Sequence, residues 1–187
     1  MKNFKPQPWF LPQPVAIIGT YNADGTPNAM NAAWAGQWDS NQIMISLGSH
    51  ATTDNLNTNP DFTLAFATVD TMTAADYVGI VSARKHPDKM AATGWTAVKA
   101  QTVNAPIFTD LPFTLECRMT RKYDESETGY FLIADIVNIV CDERYLDAQG
   151  LPDIEAMRLI AYEPVHHRYM ALGQSVGQAF ADGKKLK

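Results

Sequence analysis

SLGSHATTDNL, residues 46–56, joins an apolar run, Gln42 to Leu47 (QIMISL), to a cluster of hydroxyl and amide side chains. The pattern reads as a strand running straight into a helix start. Ser49 and Thr52 are residue types that cap helices, and TTDNLNTN after them forms a short helix ending before Pro60. The first N–H groups of such a helix lack partners, and hydroxyl donors fringe them here. That combination suits a phosphate group without any Lys or Arg. The competing reading is that Ser49 or Thr52 does nothing beyond capping.

Composition narrows the field. A chain of 187 residues, 46% of them hydrophobic, fits one domain over 1–187 that folds alone or as a dimer. A net charge of −5 argues against a nucleic-acid footprint, so any phosphate it binds belongs to a small molecule. Cys117 and Cys141 lie in strand-like apolar runs with no metal-type spacing, which suits free buried thiols in the cytoplasm. The first fifteen residues hold four prolines and no unbroken apolar core, giving an extended arm over 1–14 rather than a signal or membrane anchor.

Working outward from residues 46–56, Val15 to Tyr21 (VAIIGTY) is a strand and Asn22-Ala23-Asp24-Gly25 a turn, so a hairpin follows. Its second arm, Pro27 to Ala35 (PNAMNAAWA), is rich in alanine where a core strand prefers branched residues. Small side chains admit a flat ligand, with Asn28 and Asn31 at its polar rim; an ordinary edge strand packed under a helix fits equally. Gln37 to Asn41 reads as a turn, Asp61 to Val69 as a buried strand, and Met72 to Ala83 as a helix. Arg84 to Asp88 (RKHPD) is a charged loop before a short helix, Lys89 to Thr93. Thr96 to Val103 alternates, and Phe113 to Tyr123 pairs with Gly129 to Cys141 across DESET. Ile154 to Tyr162 is a short helix or an extended piece, His166 to Leu172 a last strand, and 174–187 a tail that begins helical. Six or seven strands with two or three short helices indicate a mainly β, closed antiparallel barrel.

Several motifs carry little. Gly173-Gln-Ser-Val-Gly177 has the spacing of a hydrolase nucleophile elbow, but no histidine follows Ser175. His166 and His167, adjacent on a strand, point to opposite faces, one core and one surface, and no third metal ligand stands at a familiar spacing. Neither a dinucleotide fingerprint nor a P-loop is present.

Taken in order, PVAIIGTYNADGTPNAMNAAW, SLGSHATTDNL, ADYVGIVSARKHPDK, VNAPIF, LPFTLECRM and ALGQSVGQAF resemble the flavin reductase-like, FMN-binding split-barrel proteins, especially their flavoredoxin branch. The resemblance implies a six-stranded antiparallel split β-barrel, a homodimer, and FMN near the subunit interface. Carried over, it assigns Asn28, Ala29, Met30, Asn31, Ala32, Ala33 and Trp34 to the flavin ring, mainly through the main chain. Ser46, Leu47 and Gly48 would border the ring and ribityl chain. Ser49, His50, Thr52, Thr53 and Asn55 would frame the phosphate, and Ser82, Ala83, Arg84 and Lys85, with Lys89 beyond, would form a second ligand-facing segment. The family usually has Ser-Gly where this chain has Ser82-Ala83, and alanine disfavours a positive φ.

What this implies is electron transfer through flavin, with no essential side-chain acid or base and no metal. NADH or NADPH would deliver hydride, and free flavin, a small molecule or a protein would accept electrons. Three alternatives stay open: an FMN electron carrier reduced by a protein partner, a non-enzymatic ligand-binding barrel that has lost flavin, and a pyridoxine-phosphate oxidase. The last would need basic residues for a second phosphate, for which only Arg84, Lys85 and Lys89 are candidates.

Overall fold

The computed structural model describes residues 1–126 and 129–186. In chain order the elements are β1 (Gln13–Pro14), β2 (Ala16–Tyr21), β3 (Pro27–Ala32), β4 (Ala35–Asp39), β5 (Gln42–Gly48), α1 (Ala51–Thr58), β6 (Asp61–Phe66), α2 (Met72–Ile80) and α3 (Lys89–Thr93). There follow β7 (Ala97–Lys99), β8 (Pro106–Phe108), β9 (Phe113–Ser126), β10 (Gly129–Cys141), α4 (Ile154–Met157), β11 (Ile160–Glu163) and β12 (Arg168–Ala171), with 3-10 turns at Glu143–Tyr145 and Asp182–Leu186.

One antiparallel sheet in the order β3-β2-β6-β9-β10-β5-β4 dominates. Register shifts in the long β9–β10 pair, at Ile133/Ala134 and Ile136/Asn138, let the sheet curl. Its two edge strands, β3 and β4, are consecutive in the chain, and the Ala33-Trp34 corner between them is tied back by Ser46 N–H donating to Trp34 O at 2.9 Å. This is the expected mainly β split barrel. It holds seven strands in its main sheet rather than six, because Ala35–Asp39 pairs with β5 where a turn was expected. β4 is largely exposed, so no alternation of apolar residues marks it. A small sheet, β1-β11-β12, and the pair β7-β8 flank the barrel.

The unbroken apolar run of β2 follows from burial on both faces. Ala16 and Ile18 point into the barrel beside Met30, Ile45, Leu56, Phe62 and Leu132. Val15 and Ile17 point outward into a second core with Ala29, Ala75, Val78 and Phe108, under α2. Each fully buried side chain of this size contributes roughly 1.5–3 kcal/mol of transfer free energy. Gly19 lies where β2 meets β6 and β8: a Cβ there would fall 2.5 Å from Thr63 Oγ1 and 2.9 Å from Pro106 O. Gly19→Ala is therefore expected to cost about 2 kcal/mol in urea denaturation, through overpacking. A loss below about 0.5 kcal/mol would show that the β6–β8 junction gives way instead.

Other expectations shift at their edges. The helix read from Met72 to Ala83 stops at Ile80, and Ile154 to Tyr162 divides into α4 and β11. The tail after Ala171 is exposed and does not begin as a helix; a turn at 179–181 leads into a 3-10 turn at Asp182–Leu186. His166 and His167 are both exposed, in the turn between β11 and β12 rather than on a strand. Ser175 lies in that extended tail, not on a strand-to-helix elbow. Of the loop expected at DESET, residues 127 and 128 lie outside the described residues, and β9 continues to Ser126. Cys117 and Cys141 are unpaired; burial pushes the Cys117 thiol up to about 12, so it is inert. Among the described residues no helix is long and apolar enough to cross a membrane.

Candidate functional site

The strand-to-helix junction is built as the sequence suggests, with one change at the cap. α1 starts at Ala51, and its N-cap position is His50, not Ser49 or Thr52. Thr53 Oγ1 accepts from His50 N–H at 2.8 Å and donates to His50 O at 2.6 Å, which closes the first turn. Among the described residues the N–H groups of Ala51 and Thr52 have no acceptor. Both residues line a cleft of about 140 Å³, with Met30, His50, Val81, Ser82, Ala83 and Lys89.

Lys89 is the unusual member of that cleft. It is 4% exposed, and its Nζ donates to Val78 O at 3.3 Å and Val81 O at 3.0 Å, closing the C-terminal end of α2. Among the described residues no carboxylate pairs with it. Burial holds its ammonium down at about 8. A buried cation without a counter-ion is costly, and beside a helix N-terminus it makes a place for an anion. Partial burial, with the charges of Arg84 and Lys89, likewise holds the His50 imidazole below its ordinary value.

Arg84 folds over the first turn of α1. Its Nε and Nη2 donate to Asp54 Oδ2 at 2.9 and 2.8 Å, Nη1 and Nη2 to Ser49 Oγ at 3.2 Å, and Nη2 to His50 O at 3.2 Å. The pair with Asp54 is half exposed and contributes under about 1 kcal/mol to stability, so its value is in position. Lys85 is exposed outside the cleft. Among the described non-glycine residues only Arg158, His167 and Phe180 have positive φ, so Ala83 sits in ordinary backbone and the loop needs no glycine there.

A second cleft, about 210 Å³, continues from the first through Met30 and His50. It is lined by Asn31, Ala32, Ala33, Trp34, Ser46, Leu47 and Gly48 as well. Its wall is β3, an edge strand bonded only to β2, so alternate main-chain groups face the groove. The His50 ring lies over Gly48, with Nε2 3.3 Å from where a Cβ would stand. The two clefts together form a groove with a flat, small-residue wall at one end and a cationic end at the other.

Not every residue expected there faces it. Asn28 and Ala29 are buried, with Asn28 Nδ2 donating to Thr52 Oγ1 at 2.9 Å. The Thr53 hydroxyl is committed to His50, and Asn55 Nδ2 donates to Thr20 Oγ1 at 2.9 Å and Asn22 Oδ1 at 3.1 Å. Thr53 and Asn55 therefore build the cradle from behind, while residues 51–52 and Lys89 line it; Ser49 and Arg84, bonded to each other over the first turn of α1, are not among the lining residues. Sequence reasoning missed Asp76, Tyr162, His167 and Tyr169, which line a larger adjoining recess. They are brought there by the packing of α2 against β11 and β12, and carry no local pattern.

The Flavin reductase like domain model matches residues 10–155, and the chain belongs to that family. Flavoredoxin of Desulfovibrio vulgaris (Miyazaki F) is 31% identical, with a TM-score of 0.91 over 98% of this chain and 99% of its own. Flavoredoxin from Methanosarcina acetivorans is 27% identical, with a TM-score of 0.89 over the whole of both chains. These likenesses put the chain in the flavoredoxin branch. An FMN-binding domain of a flavin reductases-like enzyme from Shewanella baltica OS155, at 18% identity and a TM-score of 0.74 over 89% of each chain, shares the fold. No match was found among curated proteins.

Proposed function

We propose that the groove binds FMN and that the protein is a flavin-dependent oxidoreductase of the flavoredoxin type, reduced by NADH or NADPH. The observation that carries this reading is the buried Lys89 ammonium, which among the described residues has two carbonyl acceptors and no carboxylate, beside the N–H groups of Ala51 and Thr52, which have no acceptor there. It gives a phosphate dianion a counter-charge and donors at one end of a groove whose other end suits a ring. Lys89, Arg84, Ser49 and the start of α1 would hold the phosphate. Met30 to Trp34 and Ser46 to Gly48 would lie along the ribityl chain and ring. Bound there, FMN would supply a ring able to accept and release a hydride. The chain's part is to position it, with β3 main-chain groups at its polar rim and the barrel wall shielding one face.

Mixing the protein with FMN and then NADH or NADPH, and following the visible flavin band, tests this. Binding followed by bleaching is expected. Binding without bleaching by either nucleotide would leave the electron-carrier reading, in which a protein partner supplies the electrons, and no binding would leave a barrel without flavin.

A homodimer also fits. Phe10, Trp34, Trp38, Ile80, Val176 and Phe180 are exposed apolar side chains on the arm, the groove lip and the tail, and a second copy would cover them. The free cysteines suit the cytoplasm.

A further inference from the structure

Arg84 stands beside the cationic end of the groove without facing it. Ser82 and Ala83, the two residues before it, line that cleft together with His50, Ala51 and Thr52, and Arg84 does not. Its guanidinium is spent on the first turn of α1 instead. Nε and Nη2 donate to Asp54 Oδ2 at 2.9 and 2.8 Å, and the remaining bonds go to Ser49 Oγ and His50 O. Both partners of the ion pair are about half exposed, so water and salt weaken it. A phosphate dianion at the N–H groups of Ala51 and Thr52, which have no acceptor among the described residues, would lie next to this guanidinium. It offers Arg84 a stronger partner than Asp54 does, because a guanidinium bonds a phosphate through two parallel N–H groups and the dianion carries twice the charge. Asp54 loses little by the change. It sits in the first turn of a helix, whose dipole stabilises a carboxylate on its own.

We propose that Asp54 sets the selectivity of the phosphate end by holding Arg84 back: without ligand the guanidinium rests on Asp54 and Ser49, and a phosphate dianion takes it from Asp54 and draws it over the mouth of the cleft. The proposal rests on the FMN reading for the identity of the ligand, and adds the residue that tunes its capture. Ser49 serves both states, since its oxygen accepts from Nη1 and Nη2 and leaves the hydroxyl proton for the ligand. An uncharged flavin gives Arg84 nothing to move for. A simple carboxylate offers it no more than Asp54 already provides, so such anions are turned away and dianions are kept.

Fluorescence titration of the wild type, Asp54→Asn, Arg84→Gln and the double variant with FMN and riboflavin tests this, with the nitrogen–proton resonance of Arg84 Nε followed alongside. Asp54→Asn is expected to tighten FMN about two- to fivefold, the worth of a half-exposed ion pair, and to leave riboflavin unchanged. In the Arg84→Gln background the same change should leave FMN affinity unchanged, because no guanidinium remains to be released. Inorganic phosphate is expected to shift the Arg84 Nε resonance of the ligand-free protein, and acetate at the same concentration to leave it in place. Equal tightening in both backgrounds would make Asp54 a mere repelling charge and overturns the proposal, as does unchanged or weaker FMN binding by Asp54→Asn, or a resonance that ignores phosphate or answers acetate equally. Absence of FMN binding by the wild type would sink the FMN reading alone, while the phosphate and acetate arms still decide the exchange at Arg84.

Discussion

Lys89→Met is expected to weaken FMN binding by about ten- to a hundredfold, the worth of a hydrogen bond to a charged group, while riboflavin binding changes by less than about threefold. The asymmetry arises because only FMN brings a phosphate to the cationic end of the groove. The pH dependence has a definite sign. Because burial lowers the Lys89 ammonium to about 8 in the folded chain, its charge costs the fold below that pH. The cost is relieved as pH rises from about 8 toward the ordinary 10.5. The ligand-free protein therefore gains stability from this group across that window, and Lys89→Met does not. FMN affinity runs the other way and falls above about pH 8, where the folded chain loses the proton that the phosphate requires. Fluorescence titration with both ligands at pH 7 and pH 9 reads the affinities, and urea denaturation of the ligand-free wild type and Lys89→Met at pH 8 and pH 10 reads the stability. Equal weakening of FMN and riboflavin would mean that Lys89 acts only by closing α2.

Glu116→Ala is expected to cost about 3 kcal/mol of stability by urea denaturation at pH 7. Glu116 is fully buried on β9, yet its carboxylate is well partnered. Oε2 accepts from Thr102 N–H at 2.7 Å and from the Thr102 hydroxyl, and Oε1 from Asn138 Nδ2 at 3.0 Å. These bonds pin the segment between β7 and β8 over the barrel, where Ala100, Val103, Ala105 and Ile107 form a small core of their own. Burial would raise its carboxyl, but the hydrogen bonds from Thr102, Asn138 and Gln101 outweigh it and bring the group below its usual 4.5. A lowered value means the contribution is present above pH 4.5 and is lost as pH falls through the folded value. The gap between the wild type and Glu116→Gln should accordingly shrink on acidification. A gap that stays constant from pH 7 to pH 4 would show that Glu116 contributes shape and not charge.

The architecture was largely legible because its signals are local. The turn Asn22 to Gly25 forms as expected, with Gly25 at φ 84 and Asn22 N–H donating to Thr26 O, and the paired runs of β9 and β10 carry their own alternation. β4 was not legible, since a strand that buries little has no reason to alternate. At the site, residue types located the cradle but not the direction each side chain takes. A threonine or asparagine serves a ligand or its own backbone equally well, and Thr53 and Asn55 take the second course. Lys89, one of the less prominent candidates in the sequence, became the most informative once its burial and lack of a carboxylate partner were visible.

The position of β3 at the margin of the sheet has a further consequence. Such margins are commonly blunted by lysines or prolines, which discourage pairing with a second polypeptide. β3 (PNAMNA) carries a proline only at its first residue and no lysine, so its protection comes from burial, with Asn28, Ala29, Met30 and Ala32 covered, rather than from residue type. Guarding it falls to α2 on one side and to whatever occupies the adjoining hollow. If FMN fills that hollow as proposed, the ligand-free chain is the form expected to aggregate sooner, which light scattering of both forms at one concentration would check.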